Sequence, residues 1–538
     1  MSATPPETPD RPDAAPRVTA AKLLRSTSIV SAMTLLSRIL GLVRDVVFAR
    51  MFGASLVMDA FLVANRIPNM LRRFFAEGAF SQGFVPVMGR YRERHSTAEA
   101  REFAAAVAGT LGVALFVVTA IGVIAAPLLV AVVAPGFVGD DGRFDLATLM
   151  LRFTFPYLLF VSLTAFAGGV LNTYGRFAVP AFTPVLLNVV LIGFAVGLAP
   201  RLEQPGMALA YAVFCAGVVQ LLFQLPFLRA IGMLRLPRWQ PAHAGVKRVL
   251  RLMLPAIFGS SVAQLNVLVG GILASLLGVG SISLLYYADR LMEFPLGLFG
   301  IALATVTLPH LSRQHASGSS DGFAATLDWS MRLVLLIAVP AALGLVLLAG
   351  PLVATIFYGG EFDAEDVELT ALALKAFALG LVGFSYVKVL APAFFARENT
   401  VTPVRIALLA LAVNFGLSVL FSGYLVAIDH PAPHAGLAVA ISIAALLNAL
   451  LLYVALRREG VVGHAGGWGV LGLRVLAASL AMWGMLAVLH KPLGWWLEVS
   501  LADRIGALLV SILAGVVVYF GTLLVLGARP SQLGIRPH

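Results

Sequence analysis

Charge is scarce in this chain. Of 538 residues only 12% are Asp, Glu, Lys or Arg, while 59% are hydrophobic. Soluble domains run nearer a quarter charged, and a chain this long with so little polar surface would not stay in solution. Cysteine is all but missing: Cys215 stands alone, which excludes a disulfide framework and a cysteine metal site and leaves a small hydrophobe. No G-x-x-x-x-G-K-[ST], H-E-x-x-H or G-x-S-x-G occurs, so the sequence offers no ATP-cradling loop, no zinc protease helix and no nucleophile elbow. The nine histidines are scattered, mostly in loops such as those of His243, His430, His434 and His490, without metal-ligand spacing. No metal and no cofactor are expected, and neither is an enzyme. Near the start there is no apolar run either. Residues 1–22, opening "MSATPPETPDRPDAAPRVTA", lack the h-region of a signal peptide and read as a disordered cytoplasmic tail.

What is present is apolar sequence in long blocks. A helix needs about 20 apolar residues to cross a bilayer. Fourteen candidate spans follow: 26–51, 55–88, 103–132, 146–172, 180–199, 206–230, 247–276, 281–310, 327–357, 367–396, 402–426, 435–456, 469–490 and 504–527. The expected fold is an all-α polytopic membrane protein. The loops test the count, because Lys and Arg concentrate on the cytoplasmic side. The segment after the sixth span carries Arg229, Arg235, Arg238, Lys247, Arg248 and Arg251 and no acid, whereas "YGGEFDAEDVE" carries Glu361, Asp363, Glu365, Asp366 and Glu368 and no base. This alternation predicts both termini in the cytoplasm. It also accounts for the net charge of +11 without nucleic acid, since the basic residues lie between apolar runs and not on one soluble face.

The chain repeats itself. "FGASLVMDAFLVANRIPN" (52–69) resembles "LGVGSISLLYYADRLMEFP" (277–295), pairing Gly53 with Gly278 and Arg66 with Arg290, and "TPVLLNVVLIGFAVG" (183–197) echoes "TPVRIALLALAVNFG" (402–416). Six helices fit the interval, an even number, so the repeats are parallel and related by an axis along the membrane normal. The expected organisation is a first lobe at 23–232 with helices 1–6, a second at 233–458 with helices 7–12, and two added helices with a tail at 459–538. Two such lobes would enclose a central cavity.

Into this apolar background the sequence places charge where it is costly. An Arg at the bilayer centre costs from about 2.5 kcal/mol on insertion scales to far more in simulations, so such residues face water or a partner. Span one carries Arg38, Arg44 and Asp45; span two carries Asp59, Arg66, Asn69, Arg72 and Arg73, with Glu77 beyond; span eight carries Asp289, Arg290 and Glu293; span ten carries Lys375 and Lys388. Pro68 is expected to break or kink span two. A cationic cavity of this kind suits a phosphate or pyrophosphate, because the guanidinium fork matches phosphate oxygens and keeps its proton. Arg38, Arg44, Arg72 and Arg290 are the candidate ligand contacts. Arg66 and Lys388 are undecided between ligand and structure, while Asp59 and Glu293 are expected to brace the arginines or pair with them when the ligand is away. Arg50, Arg73 and Arg90 suit the membrane surface.

The stretches "MTLLSRILGLVRDVVFARMFG", "MDAFLVANRIPNMLRRFFAEGAFSQGFVPV", "YYADRLMEFPLGLFGIAL" and "VKVLAPAFFARENTVTPVRIA" resemble the MviN/MurJ family of lipid II flippases, within the multidrug/oligosaccharidyl-lipid/polysaccharide (MOP) exporter superfamily. The likeness runs from about Leu23 to the end. It implies fourteen helices with two lobes around a cationic cavity, and a bacterial inner-membrane flippase that carries lipid II to the outer leaflet by alternating access. By motif it implies that Arg38, Arg44, Arg72 and Arg290 bind the pyrophosphate, with Asp59, Asn69, Ser283 and Glu293 as neighbours. Helices thirteen and fourteen would form a groove for the polyprenyl tail. The implied partners are lipid II and membrane lipids, with the cell-wall synthesis machinery as a candidate protein partner. Another exporter of the superfamily, for polysaccharide-lipids or drugs, is the alternative. One departure stands out. Some relatives bind sodium through carboxylates in the seventh and eleventh helices, where this chain offers Gln264, Asn266 and Asn414.

Overall fold

The computed structural model describes residues 20–72, 79–462 and 466–528, apart from the side chains of 20–27, 79, 81, 141, 254–263 and 298–309. Most of the expected tail, with Arg73 and Glu77, lies outside them. The described chain is helical throughout, the one exception to coil and helix being an isolated bridge between Gly359 and Phe362. The first half contains α1 (Ala20–Phe52), α2 (Leu56–Arg72), α3 (Ala79–Arg94), α4 (Thr97–Ile124), α5 (Ala126–Val133), α6 (Asp141–Thr154), α7 (Tyr157–Thr173), α8 (Ala178–Gly197) and α9 (Met207–Ala230). The second contains α10 (Ala244–Ser275), α11 (Ser281–Ala316), α12 (Ser320–Leu347), α13 (Ala349–Ile356), α14 (Ala364–Phe395), α15 (Val401–Ala427) and α16 (Pro433–Arg458). After these come α17 (Trp468–Val488), α18 (Leu493–Glu498) and α19 (Leu501–Val525).

Ten helical segments among the described residues are long and apolar enough to cross a membrane. The other four expected spans coincide with α1, α2 with α3, α10 and α11. These are helical too, and α1, α2 and α11 carry the arginines in question. The apolar helices turn bare hydrocarbon outward, as Ile124 (79% exposed) on α4 and Val525 (87%) on α19 show. Such surface fits lipid and not water.

Among the described residues, three expected spans are interrupted. Span 103–132 breaks at Ala125, span 327–357 at Leu348 and span 146–172 at Phe155–Pro156. Pro156 explains the last, since proline has no N–H to donate to the preceding turn. Pro68 behaves otherwise: it sits inside α2, which continues to Arg72, so the expected break is not there. The repeat is visible in the helix lengths. α4 and α12 have 28 residues each and start 223 residues apart (97 and 320); α5 and α13 have 8 each at the same offset (126 and 349).

Close packing within the second half relies on small residues. At Gly380 and Gly383 of α14, an added Cβ would stand 2.7 Å from the Ser442 Cα and 2.6 Å from the Leu446 nitrogen of α16. Glycine lets two backbones approach where a side chain would hold them apart. The halves also touch each other. α3 packs on α10 where Gly83 faces Met253 and the Val249 carbonyl, and the turn between α1 and α2 packs on the start of α11 and on the loop before α14.

Candidate functional site: one carboxylate between two arginine helices

The arginines of α1 and α11 are gathered around Asp45. Its side chain is 4% exposed, and Oδ1 accepts three hydrogen bonds: from Arg44 Nε (3.0 Å), Arg44 Nη2 (2.7 Å) and the Tyr286 hydroxyl (2.7 Å). Arg44 also donates Nη1 to Asn188 Oδ1 on α8 at 3.1 Å and Nη2 to the Tyr286 oxygen at 3.1 Å. Asn188 in turn donates to the Ser37 carbonyl, 3.0 Å, which fixes its amide toward α1. Hydrogen bonds to charged groups contribute about 1.5–3 kcal/mol each. Over four bonds that offsets the insertion-scale cost of about 2.5 kcal/mol for an Arg at the bilayer centre.

Arg290 enters from α11 and is held more loosely. Its Nε lies 3.6 Å from Asp45 Oδ2, its Nη1 donates to Glu293 at 3.0 Å, and its guanidinium stands over the Tyr286 ring, 4.9 Å from the centroid. The side chain is 38% exposed and Nε has no hydrogen-bond partner. Nε itself is buried against Asp45, so the exposed edge of this guanidinium, shared with Glu293, is the part of the network that an added anion can approach.

Further along α11, Arg38 and Lys388 come to adjacent residues. A Cβ on Gly297 would stand 2.5 Å from Arg38 Nη1, so the guanidinium lies against the bare backbone there. Lys388 of α14 donates to the Leu296 carbonyl at 3.4 Å, and its charged neighbours are Glu293 and Arg38. Beside Lys388 a cavity of about 410 Å³ opens into the second half. Its polar wall includes Asn266 and Asn414, the latter donating to the former at 3.0 Å. The two amides where some relatives were expected to carry sodium carboxylates are thus bonded to each other.

One expected role is recast, and one undecided residue finds its place. Asp59, expected to brace arginines, is fully buried and accepts instead from the Gly280 N–H (2.7 Å), the Ser283 N–H (2.9 Å) and the Ser283 hydroxyl (2.6 Å). Gly280 is the N-cap of α11, in the left-handed region at φ 86, and has no side chain to cap with. Asp59 supplies the missing acceptor from the other half of the chain, where a carboxylate at a helix N-terminus is favourable. Arg66 goes to α10. Its Nη1 lies where a Gly271 Cβ would be, 1.3 Å away, and has no hydrogen-bond partner. Arg72 donates Nε to Asn69 at 3.3 Å, at the end of α2.

The structure therefore brings Arg44, Arg290 and Glu293 into one network and Arg38 and Lys388 beside it. Asp59 and Ser283 form a separate joint between halves. Sequence reasoning did not single out Tyr286 and Asn188. Tyr286 precedes Arg290 by four residues, the spacing of one helix face, and Asn188 is a polar residue inside an apolar span, which is itself a signal.

A sequence profile described as lipid II flippase MurJ matches residues 48–504. A probable lipid II flippase MurJ of Vibrio cholerae is 47% identical over 95% of this chain and 98% of its own length. The lipid II flippase MurJ of Burkholderia cenocepacia is 43% identical over 94% and 98%. Among solved structures, a lipid II flippase MurJ in an inward closed conformation superposes with a TM-score of 0.72 at 26% identity, covering 92% of this chain and 97% of that one. An inward-facing multidrug transporter of the MATE family and MOP superfamily shares the fold at TM-score 0.64 and 15% identity, over 80% and 98%. With intramembrane arginines joined across two repeated halves, and near-full-length likeness to these proteins, the chain belongs to the MurJ family of lipid II flippases.

Proposed function

We propose that this protein carries lipid II, the undecaprenyl-pyrophosphate-linked disaccharide-pentapeptide, from the inner to the outer leaflet of the bacterial cytoplasmic membrane by alternating access. Residues 23–232 and 233–458 act as the two lobes, 459–538 as an addition, and both termini face the cytoplasm. The observation that carries the reading is that Arg44 of one half and Arg290 of the other share Asp45, while the Arg290 side chain stays 38% exposed. The charges of Arg44, Asp45, Arg290 and Glu293 cancel, and Arg38 and Lys388 add two positive charges beside them.

A pyrophosphate offers several oxygens to these forks in bidentate geometry. It competes with Asp45 and Glu293 for the guanidiniums, and Arg38, Arg72 and Lys388 complete its neutralisation. Arg66, Asp59 and Ser283 support the site by holding α2 against α10 and α11, and Asn69 by accepting from Arg72. The polyprenyl tail stays in lipid. Release of the Asp59–Ser283 joint opens the face at which α1 ends, and its re-formation closes that face again. No bond of the cargo is made or broken.

A leaflet-resolved lipid II accessibility assay tests this. Cells depleted of the protein should hold lipid II in the inner leaflet, and wild type but not Arg290→Ala should restore its exposure. Unchanged leaflet distribution on depletion would overturn the reading. Equal movement of other polyprenyl-pyrophosphate sugars would widen it to a general exporter of the superfamily.

A further inference from the structure

A second cavity, of about 220 Å³, lies between α12, α13, α17, α18 and α19, and shares no residue with the arginine network. Its wall includes Leu348, Leu486, Lys491, Trp496 and Ser511. Trp496 is 2% exposed, yet its indole Nε1 has no hydrogen-bond partner. A buried N–H without an acceptor is costly, and the residue that carries it lines the cavity. Lys491 stands at the exposed rim, its ammonium 3.4 Å from the centroid of the Trp495 ring. His490 is exposed beside it and also lines the cavity. Below the rim the wall is apolar, except for Ser511, which is 5% exposed and donates to Ala507, leaving its oxygen as an acceptor. The surrounding helices face hydrocarbon: Val488 is 82% exposed and Leu513 61%.

We propose that this cavity binds one glycerophospholipid of the leaflet at which α1 ends, with its phosphate on Lys491 and His490 and an acyl ester carbonyl on Trp496 Nε1. The donors are ordered from rim to interior. A cation stands at the rim, and a neutral donor lies buried beneath it. A glycerophospholipid carries acceptors at both depths, whereas a polyprenyl phosphate has only hydrocarbon below its phosphate. Paired Trp495 and Trp496 on the short α18 suit the headgroup level, where amphipathic rings gather. The bound lipid packs α17 and α19 against α12 and α13. This site is independent of how the arginine network is used.

Native mass spectrometry of the detergent-purified full chain, titrated with phosphatidylglycerol, tests the assignment. Wild type should bind a first phosphatidylglycerol about tenfold more tightly than Trp496→Phe, which removes the indole N–H with part of the ring, or Lys491→Gln, which removes the charge at nearly the same length. Lys491 is exposed, so its variant reads out binding even if the tryptophan change disturbs folding. Undecaprenyl phosphate at equal concentration should not displace the lipid. Equal affinity in wild type and both variants, or displacement by undecaprenyl phosphate, would overturn the proposal.

Discussion

The two halves of this protein make the same joint with different chemistry. In each, an asparagine on the fifth span reaches the first helix. In the first half Asn188 of α8 holds Arg44 and the Ser37 carbonyl of α1; in the second, Asn414 of α15 holds Asn266 of α10. One joint positions a charge, the other is neutral. The helix starts differ in the same way. α2 has Ser55 within its own turn, accepting from the Met58 N–H, whereas α11 begins at a bare glycine and takes its acceptor, Asp59, from the other half. Duplicated folds keep their packing and vary their polar residues. Here the charge went to α1, and the first N–H groups of α11 rely on the partner half, as the Ala54 N–H before α2 relies on Asp366.

Breaking the charged side should have the largest effect. Arg44→Glu or Arg290→Glu places a carboxylate beside Asp45, and lipid II exposure should be lost altogether while the protein is still made and inserted. The matching change in the second half, Asn266→Glu, should leave partial transport. Comparable loss at all three would erase the contrast.

The helix starts come next. Asp59→Ala leaves two buried N–H groups of α11 without acceptors, worth about 1–3 kcal/mol each. The face at which α1 ends should open more often, by roughly tenfold or more. Labelling of Ala54→Cys in a Cys215→Ser background measures this. Ser55→Ala on the self-capped α2 should cost about 1 kcal/mol of stability and leave labelling unchanged.

The asparagine pair separates more finely. Asn188→Ala should impair transport by freeing Arg44, and Asn414→Ala should lower Tm by a few degrees with transport retained. Replacing sodium by potassium should not change the rate, because the amides of Asn266 and Asn414 already satisfy one another. A sodium requirement would overturn that. Smallest of all, Gly271→Ala pushes the flexible end of Arg66 aside, for a stability change within about 1 kcal/mol by thermal unfolding.

The helical spans were legible because lipid demands long apolar runs, and the arginines because charge inside them is conspicuous. Arg44, Arg290 and Glu293 were singled out on those grounds and do meet. The breaks at Ala125 and Leu348 were not legible, since nothing in "VIAAPLL" or "VLLAGPL" departs from apolar helix until proline, which is tolerated in a first turn. The bond from Asp59 to α11 was not legible because a sequence gives its charge but not the helix end that points at it. Gly297 and Gly271 were invisible for a related reason. What matters there is the space they leave, and only the assembled fold shows whose side chain fills it.

Asp45 has a consequence for the journey without cargo. A carrier that moves its load one way must reset empty, and bare guanidiniums would make that reset slow, each dragging water through the barrier. Under the proposed mechanism the acid stands in for the departed phosphates, so Arg44 and Arg290 travel home with a counterion beside them. Turnover then depends on how readily that internal counterion lets go when the next lipid arrives.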